Sequence, residues 1–402
     1  MITVNEAFEI LRANLPARRQ EKINLADAYG RYLADDLAAP ESSPRYTNSA
    51  MDGYALRWQD VENVSRESQV SLFLAGESRA GEPFAREVRT GEAVRISTGA
   101  VLPEGADTVV RLEDTEEQDN SVTIFSARHQ GQDVRKAGEE FQAGDLLLAK
   151  GSRLKARQLA LLASVGIHNI DVFAIPGVAL LVTGTELVTI DDKSIKPFQI
   201  RDSNTVMLAG AVRETGGKVI QSGRVEDNLE HTGKVLEKTA GEGPDFILCS
   251  GGVSVGRHDH VKKAAEAAGF SELLWKIRQK PGKPLFVARR ENVLLFGLPG
   301  NPVSAYMCFH HYVSPMMAYM NGQAMAHQTI TAGTSESIVN QGKRTIFLRV
   351  GIEFVAGEVP MITEVKKQGS HMLSSISNAD GYIVLEAGET IGRGSLKETY
   401  LF

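Results

Sequence analysis

Between Gly177 and Tyr319 short, unbroken apolar runs alternate with longer amphipathic stretches, and few folds accept that rhythm. Val178–Val182 is apolar throughout and reads as a buried strand, and Asn204–Glu214 reads as an amphipathic helix closed by Gly216-Gly217. Lys218–Val225 is predicted as a strand, Leu229–Thr239 as a helix, and Phe246–Ser250 as a strand ending in glycines. His260–Ala268 then reads as a helix, Val293–Gly297 as a strand and Pro302–Tyr319 as a long helix. Strands alternating with helices of this length imply right-handed crossovers. The expected centre of the molecule is therefore a parallel, doubly wound α/β sheet.

The flanks have another texture. Thr3 and Glu6 form a capping-box pattern, with Val4, Ala7, Phe8 and Leu11 at helical spacing behind them. A second short helix is expected from about Ala26 to Gly30, and the rigid, polar Pro40–Pro44 marks a junction. Val70–Ala75, Ala93–Ser97, Thr108–Leu112 and Val122–Phe125 are short β-rich runs separated by turn residues, as in a small antiparallel barrel or sandwich. The acidic run Glu113–Asp119 reads as a solvated hairpin loop ending at Asn120 rather than a metal site. Arg153–Val165 returns to helix and is expected to pack on the N-terminal helices, and the chain is strand-like from about Thr329. These boundaries predict an N-terminal mixed α/β domain over 1–44 and 141–176, an inserted small β domain over 45–140, the α/β domain over 177–328, and a C-terminal β-barrel-like domain over 329–402.

Composition removes several classes of function. A chain of 402 residues exceeds one ordinary core and fits two to four domains. A formal net charge of −6 leaves no surplus of cations to displace counterions, which argues against a nucleic-acid partner. No apolar stretch is long enough to span a bilayer, and Met1–Leu11 carries Glu6 and Glu9 and does not read as a signal peptide. The cysteines, Cys249 and Cys308, lie in apolar runs without metal-ligand spacing and read as buried thiols. Cytoplasmic residence fits these features.

In an open α/β sheet, ligands bind where strand C-termini lead into helix N-termini. Four unusual segments fall at such places: Thr183–Leu187, Ser250–Gly256, Lys280–Pro284 and Leu298–Ser304. Gly251, Gly252 and Gly256 would let backbone approach a ligand, and Ser250 and Ser254 add hydroxyls, so this loop has the make-up of an anion cradle. A tight turn that needs glycine only for packing would look the same. Lys276, Lys280 and Lys283 recur in a stretch stiffened by Pro281 and Pro284, which suits a phosphate or pyrophosphate better than a solubilising surface. Pro299, Asn301 and Pro302 stiffen the last loop, although Pro302 also suits the first position of a helix. Glu186, Asp202, Asp227 and Asp259 all fall at this edge, where Mg²⁺ is commonly held by one or two carboxylates plus substrate oxygens. Taken singly, Asp202 and Asp227 would also serve as helix caps. His258 and His260 do not share a helix face and lack a third ligand for zinc, and His310-His311 reads as packing inside its helix or as surface.

In order along the chain these segments resemble the molybdopterin molybdenumtransferase family, MoeA and the E domain of gephyrin. The resemblance runs through Asn48–Ala55, Arg95–Ala100, Gly138–Glu140, Thr183–Leu187, Asp202–Asn204, Ser250–Gly256, Lys280–Pro284, Pro299–Ser304 and Gly369–His371. It implies an elongated homodimer of four-subdomain chains, with residues 1–44 and 141–176 serving dimerisation. The implied site lies between the α/β domain of one subunit and the inserted β domain of the other. Asp52 and Thr98 would come from the inserted domain, and Glu186, Asp227, Asp259, Lys276 and Lys280 from the α/β side. Ser250 to Gly256 would meet the pterin phosphate, with Lys283, Pro299, Asn301 and Pro302 at its border, and Arg349 and Ser370 would join from the C-terminal domain. Two departures stand out. The family's Gly-Glu-Asp reads Gly138-Glu139-Glu140, which gives a metal ligand at Glu140 a longer side chain, and Thr185 replaces an aspartate.

The implied chemistry is insertion of molybdate into adenylated molybdopterin with release of AMP, assisted by Mg²⁺. Transient contact with other proteins of molybdenum-cofactor biosynthesis would go with it. A molybdopterin adenylyltransferase would use ATP and need only the central domain, so the flanking β domains with Asp52 and Thr98 argue against it. A non-catalytic dimeric scaffold has no reason to keep the lysine and carboxylate set.

Overall fold

The computed structural model describes residues 1–252 and 260–402. They form two compact units, one of residues 1–22, 31–34 and 171–402, the other of residues 23–30 and 35–170.

At the centre of the first unit is a six-stranded sheet in the order Lys218–Val225, Gly177–Thr183, Phe246–Ser250, Val293–Leu298, Phe286–Arg290 and Ser271–Trp275. The first four strands are parallel, with Val182 opposite Ser250 and Ser250 opposite Leu298, so their C-terminal ends share one edge. The last two are added through antiparallel pairings, so Phe286–Arg290 runs against the other five, a departure from the parallel sheet that the alternation predicts. The cause is local: Arg290 pairs with Val293 across Glu291-Asn292, and Glu291 adopts φ 50°, so a tight hairpin extends the sheet without a crossover helix.

Helices cover both faces, as in a doubly wound fold. Asn204–Glu214 and the helix beginning at Pro302 bury Leu208, Val212, Val303 and Phe309 on one face; Leu229–Gly241 and Val261–Ala267 bury Leu236, Val261 and Ala264 on the other. The N-terminal helix Val4–Ala13 carries the expected capping box, with Glu6 N–H donating to Thr3 Oγ1 at 3.2 Å. It buries Val4, Ala7 and Leu11 in the first of these cores, so it packs with the α/β sheet. The predicted long helix at Pro302 is a relay of Pro302–Cys308, a π segment Phe309–Val313, and Ser314–Met320. The widening falls just ahead of Pro315, where proline removes a ladder hydrogen bond.

Thr345–Glu353, Met361–Glu364, Thr329–Thr334, Leu396–Leu401 and Gly381–Leu385 pair in that order, and the last pairs back on the first. This closes a five-stranded barrel around Leu348, Val350, Ile362 and Ile383. Gln279-Lys280 adds to it as a parallel strand opposite Thr345-Ile346, which stitches the barrel to the α/β domain.

The second unit is built on a six-stranded sheet in the order Thr108–Arg111, Gly53–Leu56, Glu92–Ile96, Val70–Ser78, Ser121–Ile124 and Thr115–Gln118, with one parallel pair, Val70–Ser78 and Glu92–Ile96. The acidic run is an arm of its hairpin rather than the loop: Thr115–Gln118 is an edge strand and the turn lies at Asp119-Asn120. Exposed carboxylates are tolerated there because an edge strand meets water, and they block pairing with other chains. Ala156–Ser164 is helical and packs on a single 3₁₀ turn, Leu25–Asp27, where the sequence predicts a short helix. Among the described residues no helix is long and apolar enough to cross a membrane.

Candidate functional site

Strand order in the parallel sheet reverses between Gly177–Thr183 and Phe246–Ser250, and ligands of open α/β sheets bind outside the carboxyl ends at such a switch point. A cleft of about 690 Å³ opens there, lined by Thr183, Glu186, Asp227, Ser250 and the loop at Pro299–Pro302 among others.

Its floor depends on glycine. Gly251 has φ 94°, and a Cβ on it would stand 2.5 Å from the carbonyl oxygen of Thr183. Gly252 has φ 66°, and its Cβ would meet Val261 Cγ2 at 2.8 Å. Only glycine lets this loop press against the neighbouring strand end. Ser250 itself is buried and accepts from Asn204 Nδ2 at 2.7 Å, and the same amide donates to the carbonyl of Gly300 at 2.9 Å. Asn204 thus joins two of the loops that form the cleft.

Two predicted carboxylates, Glu186 and Asp227, line the cleft, the first exposed and the second half-buried. Asp202 also lines it but caps the following helix, accepting from Thr205 N at 3.0 Å and from Thr205 Oγ1. Asp227 is not a cap: Asn228 takes that role, accepting from His231 N at 3.1 Å. Ser254, Gly256 and Asp259 lie outside the described residues. Among the described residues no three His, Cys, Asp or Glu side chains form a cluster able to hold a metal ion. Two carboxylates facing a phosphate-sized cleft nevertheless suit Mg²⁺, which takes one or two protein carboxylates and completes its shell from water and phosphate oxygens.

Pro299, Asn301 and Pro302 line the cleft, with Pro302 opening its helix and Asn301 Nδ2 donating to Ser370 Oγ at 3.3 Å. Through that bond the barrel delivers Ser370, and His371 lines the cleft beside it. Gln368 anchors this loop. It accepts from Arg349 N at 3.2 Å and donates to the carbonyls of Arg349 and Val365 at 2.9 and 2.8 Å. Arg349 is 1% exposed, its Nε and Nη2 meet no acceptor among the described residues, and burial pushes the guanidinium down to about 10 against the pull of Glu364.

The three lysines are not among the cleft's lining residues; Pro284 is the member of their segment that lines it. Lys276 adopts φ 66° and lays its ammonium 3.7 Å from the Trp275 ring centroid, whereas Lys280 and Lys283 are exposed. The backbone between them is held firmly, because Pro281 and Gly282 are buried and a Cβ at Gly282 would meet Cys308 Sγ at 2.5 Å.

Asp52, Thr98 and Glu140 belong to the second unit. Asp52 Oδ1 accepts from Thr98 N at 2.6 Å and Thr98 Oγ1 at 3.0 Å, and these bonds hold its carboxyl below its ordinary range. Glu140 is exposed and accepts from Ser43 Oγ at 2.8 Å.

Asn204, Thr183, Gln368 and His371 are the cleft-forming residues that sequence reasoning passed over. Thr183, Asn204 and His371 do stand inside quoted motifs, which is the signal that could have found them.

Comparison with known proteins bears on the whole chain. Residues 2–166 match the model of the MoeA N-terminal region (domain I and II), residues 179–319 that of a probable molybdopterin binding domain, and residues 331–402 that of the MoeA C-terminal region (domain IV). The molybdopterin molybdenumtransferase of Haemophilus influenzae is 35% identical over 97% of this chain and 98% of its own length. That of a Nostoc species is 34% identical over 96% and 90%. A crystal structure of the molybdopterin biosynthesis MoeA protein from Pyrococcus horikosii superposes with a TM-score of 0.87 at 31% identity, covering 100% of this chain and 99% of that one. Matched over nearly its full length by curated relatives and a solved structure alike, the chain belongs to the molybdopterin molybdenumtransferase (MoeA) family.

Proposed function

We propose that this chain inserts molybdate into the dithiolene of adenylated molybdopterin and releases AMP, and that the switch-point cleft is where it does so. The observation that carries this reading is the convergence, on one edge, of a glycine cradle at Ser250–Gly252, the carboxylates Glu186 and Asp227, and a loop delivered by the C-terminal barrel. Family membership supports the substrate class.

In this reading the pterin phosphate rests on the cradle at Ser250–Gly252, where the two glycines let backbone approach it closely. Lys276, Lys280 and Lys283 offset phosphate charge from the border of the cleft, and Pro281 and Gly282 keep that border rigid. Glu186 and Asp227 would hold Mg²⁺, which when bound supplies charge stabilisation on phosphate oxygens. Arg349, a buried cation whose Nε and Nη2 meet no acceptor among the described residues, suits an oxyanion, and Ser370 stands on the loop clamped to its backbone. The two dithiolene sulfurs displace oxygen ligands of molybdate, which leave as water with the thiol protons, and a water molecule attacks the phosphoanhydride, so the pterin keeps one phosphate and AMP departs with the other. No covalent bond to the protein is required.

The proposal includes a cytoplasmic homodimer in which each chain lends Asp52 and Thr98 to its neighbour, with Glu140 as a further carboxylate and with Ser254, Gly256 and Asp259 completing the loop. Transient contact with the proteins that deliver the pterin would accompany it.

The test is AMP release from adenylated molybdopterin with Mg²⁺, with and without molybdate. Molybdate-dependent release that Glu186→Gln and Asp227→Asn each reduce is the expected result. Tight binding of the adenylated pterin without AMP under any oxyanion would remove the transferase reading.

A further inference from the structure

Asn204 occupies an unusual position for its residue type. It is the first residue of the helix Asn204–Glu214, where asparagine ordinarily turns its side chain onto nearby backbone N–H groups. That duty is already discharged, because Asp202 accepts from both Thr205 N and Thr205 Oγ1. The Asn204 amide is left to reach across the sheet edge, and its Nδ2 donates to Ser250 Oγ at 2.7 Å and to the Gly300 carbonyl at 2.9 Å.

The orientation of that amide is chemically determined. A carbonyl oxygen can only accept, so the group facing Gly300 must be the NH₂ and not the oxygen. The same NH₂ therefore also faces Ser250. A serine hydroxyl that accepts an N–H through its oxygen keeps its own proton to give elsewhere. Both residues are buried, Asn204 at 7% and Ser250 at 1% exposure, and both line the cleft. Because Ser250 lines the cleft, a ligand oxygen bound there can take that proton.

We infer that Asn204 is a positioning residue that sets the Ser250 hydroxyl as an oriented hydrogen-bond donor to a phosphate oxygen and fixes the spacing between the Ser250 and Gly300 loops. This rests on reading the cleft as the phosphate site of the adenylated pterin. A second amide–serine pair repeats the pattern from the barrel side, Asn301 Nδ2 to Ser370 Oγ at 3.3 Å, but it is exposed and longer. The Asn204 pair is the one held in place from both sides.

The action through Ser250 makes the inference separable from a structural role. Asn204→Asp keeps the shape but replaces the donor by an acceptor that would capture the Ser250 proton. It is expected to weaken binding of adenylated molybdopterin by about ten- to hundredfold, the range of one charge-assisted hydrogen bond, and to raise KM while kcat changes by less than about threefold. On a Ser250→Ala background the same substitution should cost less than about threefold, since neighbours acting as a unit are not additive. Asn204→Ala with its own Ser250→Ala partner gives a second cycle should the aspartate variant fail to fold.

Inorganic pyrophosphate, titrated in parallel, reports on the cradle without the pterin. Coupled losses with both ligands support the inference. Coupled losses with pyrophosphate alone, and no binding of adenylated pterin to the parent chain, support the Asn204–Ser250 device as an anion cradle and remove the pterin reading. Additive losses with either ligand, or no binding of either, overturn the inference.

Discussion

His327 Nε2 donates to the backbone carbonyl of His311 at 2.9 Å, and Pro315 cannot supply the N–H that a regular α-helix would turn to that carbonyl. A continuing α-helix would pair the His311 oxygen with the N–H of residue 315, and proline has none. A side chain from the start of the barrel meets that acceptor. The same pair of rings stacks at 4.6 Å, and His311 Nδ1 lies 2.9 Å from the Tyr382 hydroxyl. The joint between helix and barrel is thus built from neutral imidazoles.

That joint predicts acid sensitivity. Burial holds His310 down to about 4 and keeps His311 well below its usual 6.5, and His327 is lowered by the same cause. The unfolded chain takes up these protons near 6.5 and the folded chain does not. Stability is therefore complete above that pH and lost as pH falls toward 4. The slope is up to about 1.4 kcal/mol per pH unit for each histidine. Urea denaturation at pH 7, 6 and 5 should show it, and His310→Phe should flatten it. A parent and variant with equal slopes would contradict the assignment.

Gly251→Ala should cost about 1–3 kcal/mol, the strain of a side chain at positive φ, with the added clash at the Thr183 carbonyl. Gly223→Ala is the control, since a Cβ there meets nothing within 4 Å, and it should be near neutral. Equal destabilisation of the two in urea would show that the Gly251 contact is not what demands glycine.

The thiols should be inert in the folded chain. Cys249 and Cys308 are fully buried, and burial pushes Cys249 up to about 12 and Cys308 higher still. A thiol-disulfide reagent at pH 8 should find none in the native protein and both after denaturation. Rapid labelling of the native chain would mean that the core around Gln279 and Gly282 opens.

Arg349→Met should leave the melting temperature unchanged or raise it, because a buried guanidinium with Nε and Nη2 unpaired among the described residues is replaced by an apolar side chain. AMP release should fall at least about tenfold if that cation serves an oxyanion rather than the fold. A large drop in melting temperature with activity retained would assign Arg349 to structure.

The elements most legible in the sequence are those whose partners are near in the chain. Asn204–Glu214 and Lys218–Val225 have the predicted limits, because 3.6-residue periodicity and apolar runs are local signals. The capping box at Thr3 and Glu6 is legible for the same reason. The antiparallel strands Ser271–Trp275 and Phe286–Arg290 were not, although Glu291-Asn292 carries a short turn that could have announced the second. At the site, the glycine loop and the carboxylates at strand ends were readable as residue types. The Asn204 tie was not, since its partners lie 46 and 96 residues away.

The sequence by itself determined the alternation of strands and helices, the glycines and prolines at the strand ends, and the ordered motifs that carry the family resemblance. Tertiary structure alone decided that Val4–Ala13 packs on the α/β core, that Asp202 caps a helix while Asp227 does not, and that Arg349 is buried. The division is physical. Periodicity and turn chemistry act over a few residues and are written locally, whereas burial and hydrogen-bond partnership depend on which distant segments the fold brings to the same edge.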